Sequence, residues 1–256
     1  MASSGGGVLR VYLVGRITIQ GPTGLVEQSD FPGRQGRLAF AYLAASPRRV
    51  KREQLADVLW EDDLPVAWES ALHAIVSKLR RVLVRAGLIG SSAVEGSDGC
   101  YELRLPTGSW IDLREAVNSL DRAEGALAQG DSRTAWAAAA VAAAILRRPF
   151  LPGDSGQWAE RTRRELGELE VRTYDTLAGA WLLAGNPGAA VQAARRAVQL
   201  APFRETAYAR LMQCYLAAGD RAEAIRLYGE LRDLLRESMG LSPTPEIEKI
   251  YLEALD

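Results

Sequence analysis

The chain has few of the residues that build most metal and redox sites. Its 256 residues include one histidine, His73, and two cysteines, Cys100 and Cys214, which are far apart in the sequence. A single histidine excludes a multi-histidine metal site, and two distant cysteines exclude a disulfide scaffold and a Cys-x-x-Cys ligand pair. We expect reduced thiols, with one incidental disulfide left open, and neither a metal nor a cofactor.

Long apolar runs and a strong charge of one sign are also missing. No segment contains 18 consecutive apolar residues, so no membrane-spanning helix is expected. Residues 1–7 lack the basic and apolar regions of a signal peptide, which favours a cytoplasmic protein. The net charge of −1 excludes a uniformly basic nucleic-acid coat, and 48% hydrophobic residues favour a folded core over disorder.

Motifs of the common enzyme classes are absent as well. The chain has no glycine-rich phosphate-binding loop ending in Lys-Ser or Lys-Thr, and Gly5-Gly6-Gly7 precedes a predicted strand instead of following one. His73 has no thiol or carboxylate nearby in the sequence with the spacing of a catalytic triad. We therefore predict that the protein is not an enzyme.

The first hundred residues mix strand and helix patterns. A β-branched segment at 8–20 predicts a strand, and a short return strand is predicted at 25–27 after a Gly-Pro-Thr-Gly turn. Apolar spacing predicts helices at 35–45, 51–60 and 66–86. Two short strands then flank the turn Gly96-Ser97-Asp98-Gly99, because Asp-Gly between strands is typical of a hairpin.

The third helix has two distinct faces. At 100° per residue, Leu72, Val76, Leu79 and Leu83 share one side and predict a buried stripe. The opposite side is polar and basic, with Arg80 and His73 at its edge. It comprises Ser70, Ala74, Ser77, Lys78, Arg81 and Arg85.

The second half contains an internal repeat of 34 residues. Leu177 and Leu211 are separated by this period, and so are Gly185 and Gly219. Helix–turn–helix units of 34 residues are typical of tetratricopeptide repeats, and generic helical hairpins are the alternative. Gln129-Gly130-Asp131 resembles the same turn and predicts a degenerate earlier unit.

These patterns predict a mostly α protein with two domains. Residues 8–105 are predicted as an α+β winged helix-turn-helix domain, with an ordinary small α+β domain as the alternative. Residues 111–256 are predicted as an all-α, tetratricopeptide-like helical bundle with one continuous core from about 113 to 255.

Particular segments resemble the Streptomyces antibiotic regulatory proteins, which join an OmpR-type winged helix to a bacterial transcriptional activator domain. The resemblance is carried by 55–60 (LADVLW), 70–72 (SAL), 76–83 (VSKLRRVL), 219–224 (GDRAEA) and 239–246 (MGLSPTPE). It implies a sequence-specific DNA-binding transcriptional activator. The third helix would enter the major groove of double-stranded DNA, and the hairpin would form a wing in the minor groove.

Site residues follow from this resemblance together with the wheel. The family motif places Lys78 and Arg80 toward the bases, while a basic cluster at 48–52 lies where winged helices often hold phosphate. Base and phosphate roles stay open for each side chain. The predicted DNA-binding residues are Arg48, Arg49, Lys51, Arg52, Ser70, His73, Ser77, Lys78, Arg80, Arg81 and Arg85.

Two further partners are implied by the resemblance. Glu61, Asp62 and Asp63 lie in the loop with which the family contacts RNA polymerase, and a solvated turn is the alternative. The family also suggests a homodimer on direct repeats of DNA.

Some residues depart from the family pattern. Glu69 stands where a basic residue is usual, and the hairpin carries Glu95 and Asp98 but no arginine before its tip. Residues 1–106 contain 13 basic and 11 acidic side chains, a low net charge of +2 for a tight DNA binder. The alternative function is therefore a protein-interaction or sensory module that keeps this fold and has lost DNA binding. The chain could also be a piece of a larger regulator.

Overall fold

A small mixed sheet forms at the start of the chain. In the computed structural model, which describes residues 8–256, strands β1 (Arg10–Tyr12), β2 (Thr18–Gln20) and β3 (Leu25–Val26) form an antiparallel meander. β7 (Trp110–Ile111) lies parallel to β1, so the strand order is β3-β2-β1-β7. The single strand predicted at 8–20 is wrong, because Gly15 adopts φ +75° and turns the chain between β1 and β2. Residues 1–7, where no signal peptide is expected, lie outside the described residues.

Three helices and a second sheet complete the predicted winged helix-turn-helix. The helices are α1 (Gly33–Ala45), α2 (Arg52–Trp60) and α3 (Trp68–Arg85). After a short helix, α4 (Gly90–Ala93), strands β5 (Val94–Ser97) and β6 (Cys100–Leu103) form the predicted hairpin, which we call the wing. β4 (Val50–Lys51) joins the wing through β6, giving the order β4-β6-β5.

The buried stripe predicted along α3 is confirmed. Leu72, Val76, Leu79 and Leu83 are all buried, and Ile75 and Val82 widen the stripe on its flanks. Burial of a leucine or valine side chain contributes about 1.5–3 kcal/mol, so several such residues on one face fix the rotation of the helix about its axis. The polar face of α3 is consequently held toward solvent.

A buried carboxylate anchors the end of β1. Asp112 is 1% exposed, and its Oδ2 accepts the N–H groups of Leu13 and Val14 at 2.7 and 3.0 Å. Its Oδ1 accepts the N–H of Leu113 at 2.8 Å. Burial raises the pKa of Asp112, and the three donated hydrogen bonds oppose that increase.

The rest of the chain is helical, as predicted, and its turns repeat one chemistry. Gly130, Gly185 and Gly219 adopt φ between +70° and +77° just after the last residues of three helices that end at Ala128, Leu183 and Ala217. Asp131 and Asn186 then cap the following helices by accepting backbone N–H groups, which a left-handed glycine followed by a short polar side chain makes possible. The helices are α5 (Asp112–Ala128), α6 (Ser132–Leu146), α7 (Gln157–Leu183), α8 (Pro187–Leu200), α9 (Glu205–Ala217), α10 (Arg221–Met239) and α11 (Pro245–Leu255).

The chain divides into two compact units that interleave along the sequence. The first contains the described residues up to Glu115 together with Arg148–Arg164, and the second contains Ala116–Arg147 together with Glu165–Asp256. The predicted domain bounds, 8–105 and 111–256, stay a prediction, and segment 148–164 lies in the first unit and not with the helices that precede and follow it.

Backbone and aromatic contacts explain why segment 148–164 belongs to the first unit. The Gly15 N–H donates to the carbonyl of Pro149 at 2.7 Å, and Val14 forms a β-bridge with Phe150. Within the same unit, the Trp158 ring lies 5.0 Å from Tyr42 and 5.5 Å from Phe150 between centroids. The sequence pattern could not show these contacts because their partners are far apart in the chain.

The second unit has its main core among α8, α9, α10 and α11. Leu211 is 2% exposed in this core, beside Met212, Tyr208 and Leu231. Leu216 is only half-buried and packs at the edge of the same cluster. Leu211, and not Leu216, therefore lies at the centre of this core.

We expect Leu211→Ala to lower the free energy of unfolding by about 2–5 kcal/mol, because it leaves a cavity among side chains that are themselves fully buried. Equilibrium unfolding in urea measures the effect. Leu252→Ala is the matched control, since Leu252 is 56% exposed and its truncation should change stability by less than about 0.5 kcal/mol. Equal effects of the two changes would contradict the packing described here.

Candidate nucleic-acid interface

One face of α3 presents polar and basic side chains to solvent. It lies opposite the buried stripe, and the division between the two faces agrees with the helical wheel. Glu69, in the first turn of the helix, is exposed beside this face. The predicted DNA-binding residues of α3 that are exposed are Ser70, His73, Ser77, Lys78, Arg81 and Arg85.

The basic residues of this face differ in whether they form an ion pair within the protein. No carboxylate among residues 8–256 lies within ion-pair distance of Lys78 or Arg81. Arg85, at the end of the helix, is paired with Asp30 at 2.8 Å between Nη1 and Oδ1. Lys78 and Arg81 therefore offer donors to an external partner without breaking an internal ion pair.

Arg80 is held differently from its neighbours. It is half-buried, and its Nε and Nη2 both donate to the backbone carbonyl of Val94, at 2.9 and 2.8 Å. Val94 is the first residue of β5, so the side chain joins α3 to the wing. The base-facing position that the family resemblance implies for Arg80 stays a prediction, and its guanidinium already has a partner in the protein.

The wing ends in a tight two-residue turn. Asp98 and Gly99 have φ of 51° and 72°, the left-handed conformation required at both central positions of a type I′ hairpin. The hairpin places Asp98 at the tip, where its side chain is 87% exposed. The wing therefore presents an acidic group at its outermost point.

Carboxylates of the wing occupy two arginines. Arg49 is 3.6 Å from Asp98 and 3.4 Å from Glu102. Arg104 pairs with Glu95 and with Glu102. Exposed pairs of this kind contribute only about 0–1 kcal/mol each, yet they lower the positive charge that the wing offers to a phosphate.

The basic cluster before α2 lies beside the wing turn. β4 pairs with β6, and the Arg52 N–H donates to the Gly99 carbonyl at 2.9 Å. Arg48, Arg49 and Lys51 are exposed, whereas Arg52 is half-buried. The fold thus brings together the predicted cluster at 48–52 and the predicted wing.

Tyr101 is a residue of this region that sequence reasoning missed. It is 3% exposed, and its ring lies 5.6 Å from the Arg52 guanidinium carbon and 6.5 Å from the His73 ring. Burial raises the pKa of Tyr101, while the positive charges of Arg52 and Arg80 oppose the increase. Its position in β6, just beyond the Asp-Gly turn, is the only signal in the sequence, and it indicates no particular partner.

Of the three acidic residues in the loop between α2 and α3, one is hydrogen-bonded to another segment of the protein. Glu61, at φ +49°, accepts the backbone N–H of Gln157 through Oε1. Asp62 and Asp63 are exposed, and no ion pair involves either of them among the described residues. The three acids therefore do not act alike, since Glu61 fixes one end of the loop.

Other kinds of site find no support in the part of the chain that the structure describes. Within 8–256, no three residues among His, Cys, Asp and Glu are grouped so that they could hold a metal ion. Cys100 and Cys214 are both free thiols, and burial raises the pKa of Cys214 to about 11. A thiol with such a pKa stays protonated and is a poor nucleophile at neutral pH.

A family comparison identifies the helical region. Residues 111–255 match the family model described as the bacterial transcriptional activator domain. The chain belongs to this family. The match and the relatives below confirm the resemblance to the Streptomyces antibiotic regulatory proteins.

Two curated relatives are similar to this chain over the winged helix as well as over the helical region. Regulatory protein AfsR of Streptomyces coelicolor is 28% identical over 87% of the chain, which spans 22% of AfsR. Transcriptional regulatory protein MoaR1 of Mycobacterium tuberculosis is 26% identical over 88% of the chain and 72% of MoaR1. The chain therefore spans about a quarter of the AfsR relatives and most of MoaR1. AfsR is named a regulatory protein and MoaR1 a transcriptional regulatory protein, and neither name is that of an enzyme.

A solved structure supports the fold. Mycobacterium tuberculosis EmbR, in complex with a low-affinity phosphopeptide, superposes with a TM-score of 0.86. The two chains are 22% identical, and the match covers 96% of this chain and 65% of EmbR. The predicted fold class, a winged helix-turn-helix followed by a helical bundle, is confirmed. Among the described residues, no helix of this bacterial transcriptional activator domain protein is long and apolar enough to cross a bilayer.

We expect Gly90→Ala to destabilise the chain by about 1–3 kcal/mol, because a Cβ there would lie 2.5 Å from the Arg80 carbonyl oxygen and force the backbone of α4 away from α3. Thermal and urea unfolding measure the effect. Gly125→Ala is the control: a Cβ at this helical position meets no atom within 4 Å, so alanine should stabilise by about 0.5–1 kcal/mol. A neutral Gly90→Ala variant would show that α4 does not need its close approach to α3.

Proposed function

We propose that the chain is a sequence-specific, DNA-binding transcriptional regulator of the activator type. One observation carries the proposal: α3 presents Lys78 and Arg81, both without an ion pair among residues 8–256, on a face whose orientation is fixed by its buried stripe. The same face of α3 also carries Ser70 and Ser77, which are small and polar. A helix of this kind fits the major groove of B-DNA, where arginine and lysine donate to guanine O6 and N7.

Phosphate contacts are assigned to the region beside the wing. Arg48, Arg49 and Lys51 are exposed at the start of α2, where the first backbone N–H groups of the helix also favour an anion. The wing would lie along the minor groove. Such contacts fix the orientation of the protein on the duplex and leave discrimination between base pairs to α3.

The charges of the wing and of the basic cluster beside it predict modest affinity for non-specific DNA. Arg49 is shared with Asp98 and Glu102, so a phosphate must compete with two carboxylates for it. Because both the strength and the salt dependence of non-specific binding grow with the number of neutralised phosphates, few free cations give weak non-specific binding with a shallow salt dependence. Specific binding would then depend strongly on the contacts of α3 with base edges.

Further partners belong to the same proposal. Asp62 and Asp63 are free to contact RNA polymerase, whereas Glu61 positions their loop through Gln157. We propose binding as a homodimer on direct repeats, action in the bacterial cytoplasm, and no enzymatic activity of the chain itself. The names of the relatives support a role in regulation, and the exposure of Asp62 and Asp63 supports contact of this loop with a partner.

A second function is favoured by the acidic groups near the interface. Glu69 lies in the first turn of α3, where its negative charge interacts favourably with the helix dipole and would repel a phosphate. Together with Asp98, it would suit a protein-interaction module that keeps the fold without binding DNA. Selection of genomic fragments by the purified chain at two salt concentrations, followed by sequencing, decides between the two functions.

We expect Lys78→Ala to weaken binding to a selected duplex by about 1–3 kcal/mol if the ammonium contacts a base edge. Arg49→Ala should weaken selected and scrambled duplexes alike and reduce the salt dependence, because it removes a phosphate contact. Lys249→Ala, an exposed lysine of α11, is the control and should change neither affinity. Fluorescence anisotropy titrations measure all three. If Lys78→Ala and Arg49→Ala bind as the parent does, the assigned contacts are wrong.

We expect Glu69→Arg to raise DNA affinity, because it replaces a repelled carboxylate with a cation near the phosphates. The gain should shrink at high salt, since each added phosphate contact releases about one more counterion. Glu253→Arg makes the same charge change on exposed α11 and should leave affinity nearly unchanged. Titrations of all three proteins across a salt series measure this. Absence of saturable binding by both the parent and Glu69→Arg at about 100 mM salt, with the fold intact by circular dichroism, would favour the interaction module.

A further inference from the structure

The carbonyl of Val94 needs a donor that the wing itself does not supply. Val94 begins β5, which is the edge strand of its sheet, and the residue is fully buried. The Val94 N–H donates to the Gly90 carbonyl rather than to β6. In an antiparallel strand the N–H and C=O of one residue point to the same side, so the Val94 carbonyl also faces away from β6. A buried carbonyl in this position requires a partner from another element.

Arg80 supplies that partner with two donors at once. Its Nε and Nη2 lie 2.9 and 2.8 Å from the same oxygen. The planar guanidinium holds these two N–H groups at a fixed angle, so the pair defines the position of the carbonyl more closely than a single donor would. Among the basic residues of α3, all of which lie in the described part of the chain, Arg80 is the one bound to the wing backbone.

Two glycines lie near this contact, and Gly90 is the one that the close approach of α4 to α3 requires. A Cβ at Gly90 would clash with the Arg80 carbonyl oxygen at 2.5 Å, so α4 rests on the backbone of α3 at this residue. A Cβ at Gly96 would lie 3.1 Å from the Tyr101 ring and 3.6 Å from Arg80 Nη2. Backbone and side chain of Arg80 thus both contact the segment that leads into the wing.

We propose that Arg80 is a positioning residue that sets the wing on α3, and that Lys78 and Arg81 are the residues of α3 free to contact DNA. The inference rests on the proposed DNA-binding function. It assigns Arg80 to the relative position of two DNA-contacting elements instead of to a base. If Arg80 instead turned toward a base, it would leave the buried Val94 carbonyl without its donor, which is costly in a low-dielectric interior.

The proposal also predicts what Arg80 does for specificity. When the wing is fixed on α3, the distance along the duplex between the contacts of α3 in the major groove and those of the wing in the minor groove has a single value. With the wing released, α3 can still dock, but contacts at the flanking base pairs lose their register. Loss of Arg80 should therefore affect flanking positions more than the positions beneath α3.

Hydrogen exchange of the free, full-length chain provides the first test. In Arg80→Ala, we expect amides of residues 94–103 to exchange roughly tenfold faster or more, as local opening of the wing becomes easier. Arg80→Lys keeps the charge and one donor, so it should restore part of the protection. Arg81→Ala, the exposed neighbour, should leave wing exchange unchanged. Unchanged exchange over 94–103 in Arg80→Ala would overturn the proposal.

Selection from a randomised duplex library provides the second test. We expect Arg80→Ala to lose preference at base pairs that flank the α3 site and to keep preference beneath α3, with Arg80→Lys intermediate. Loss of preference at one pair beneath α3, with wing exchange as in the parent, would identify Arg80 as a base contact and overturn the proposal. If the parent selects no sequence, the DNA-binding function fails, and the exchange of the wing still decides whether Arg80 fixes it. Should Arg80→Ala not fold, the same two measurements on Arg80→Lys against Arg81→Lys decide, with faster wing exchange expected only in Arg80→Lys.

Discussion

Burial of the apolar stripe on α3 is the interaction on which the candidate interface depends. Leu72, Val76, Leu79 and Leu83 lie on one side of the helix, and their removal from water leaves a single rotation of the helix about its axis. Every polar side chain of the opposite face is then directed outward without any polar interaction having to place it. A rigid helix with a fixed polar face is what recognition of a groove requires, because loosely held donors would lose conformational entropy on binding.

The same kind of side chain performs several tasks on this framework. Lys78 and Arg81 extend into solvent, while Arg85 is paired with Asp30 and Arg49 with two carboxylates of the wing. Arg80 donates to a backbone carbonyl. These differences arise from what each side chain can reach, so a count of basic residues in the region overstates the charge available to DNA.

The same turn, a left-handed glycine followed by a short polar residue, recurs at several helix ends of the helical region. Gly185 and Gly219 reverse the chain in the left-handed conformation, and a short polar residue immediately precedes each following helix. Small residues such as Ala190 and Ala224, which are fully buried, allow the helices to approach closely. The segment 148–164 interrupts this pattern, because Phe150 and Trp158 find their aromatic and backbone partners in the first unit.

Local and periodic features were determined by the sequence alone. The amphipathic pattern of α3 and the Asp-Gly hairpin each depend on residues within one element or one turn, and the 34-residue repeat depends on spacing along the chain. These features can therefore be predicted without knowledge of tertiary contacts. This includes most helix ends and the exposure of Lys78 and Arg81. The family resemblance, carried by short motifs, added the expected order of winged helix and bundle.

Tertiary structure decided which groups meet. Nothing near Arg80 in the sequence indicates that the carbonyl of Val94 would face it, because that depends on how β5 pairs with β6 and how α4 rests on α3. The burial of Tyr101 between His73 and Arg52 is set in the same way, by three elements that converge. Likewise, segment 148–164 joins the first unit through contacts with residues more than a hundred positions away. Hydrogen bonds and packing between distant segments leave no periodicity in the sequence, and only the folded chain brings those residues within reach of one another.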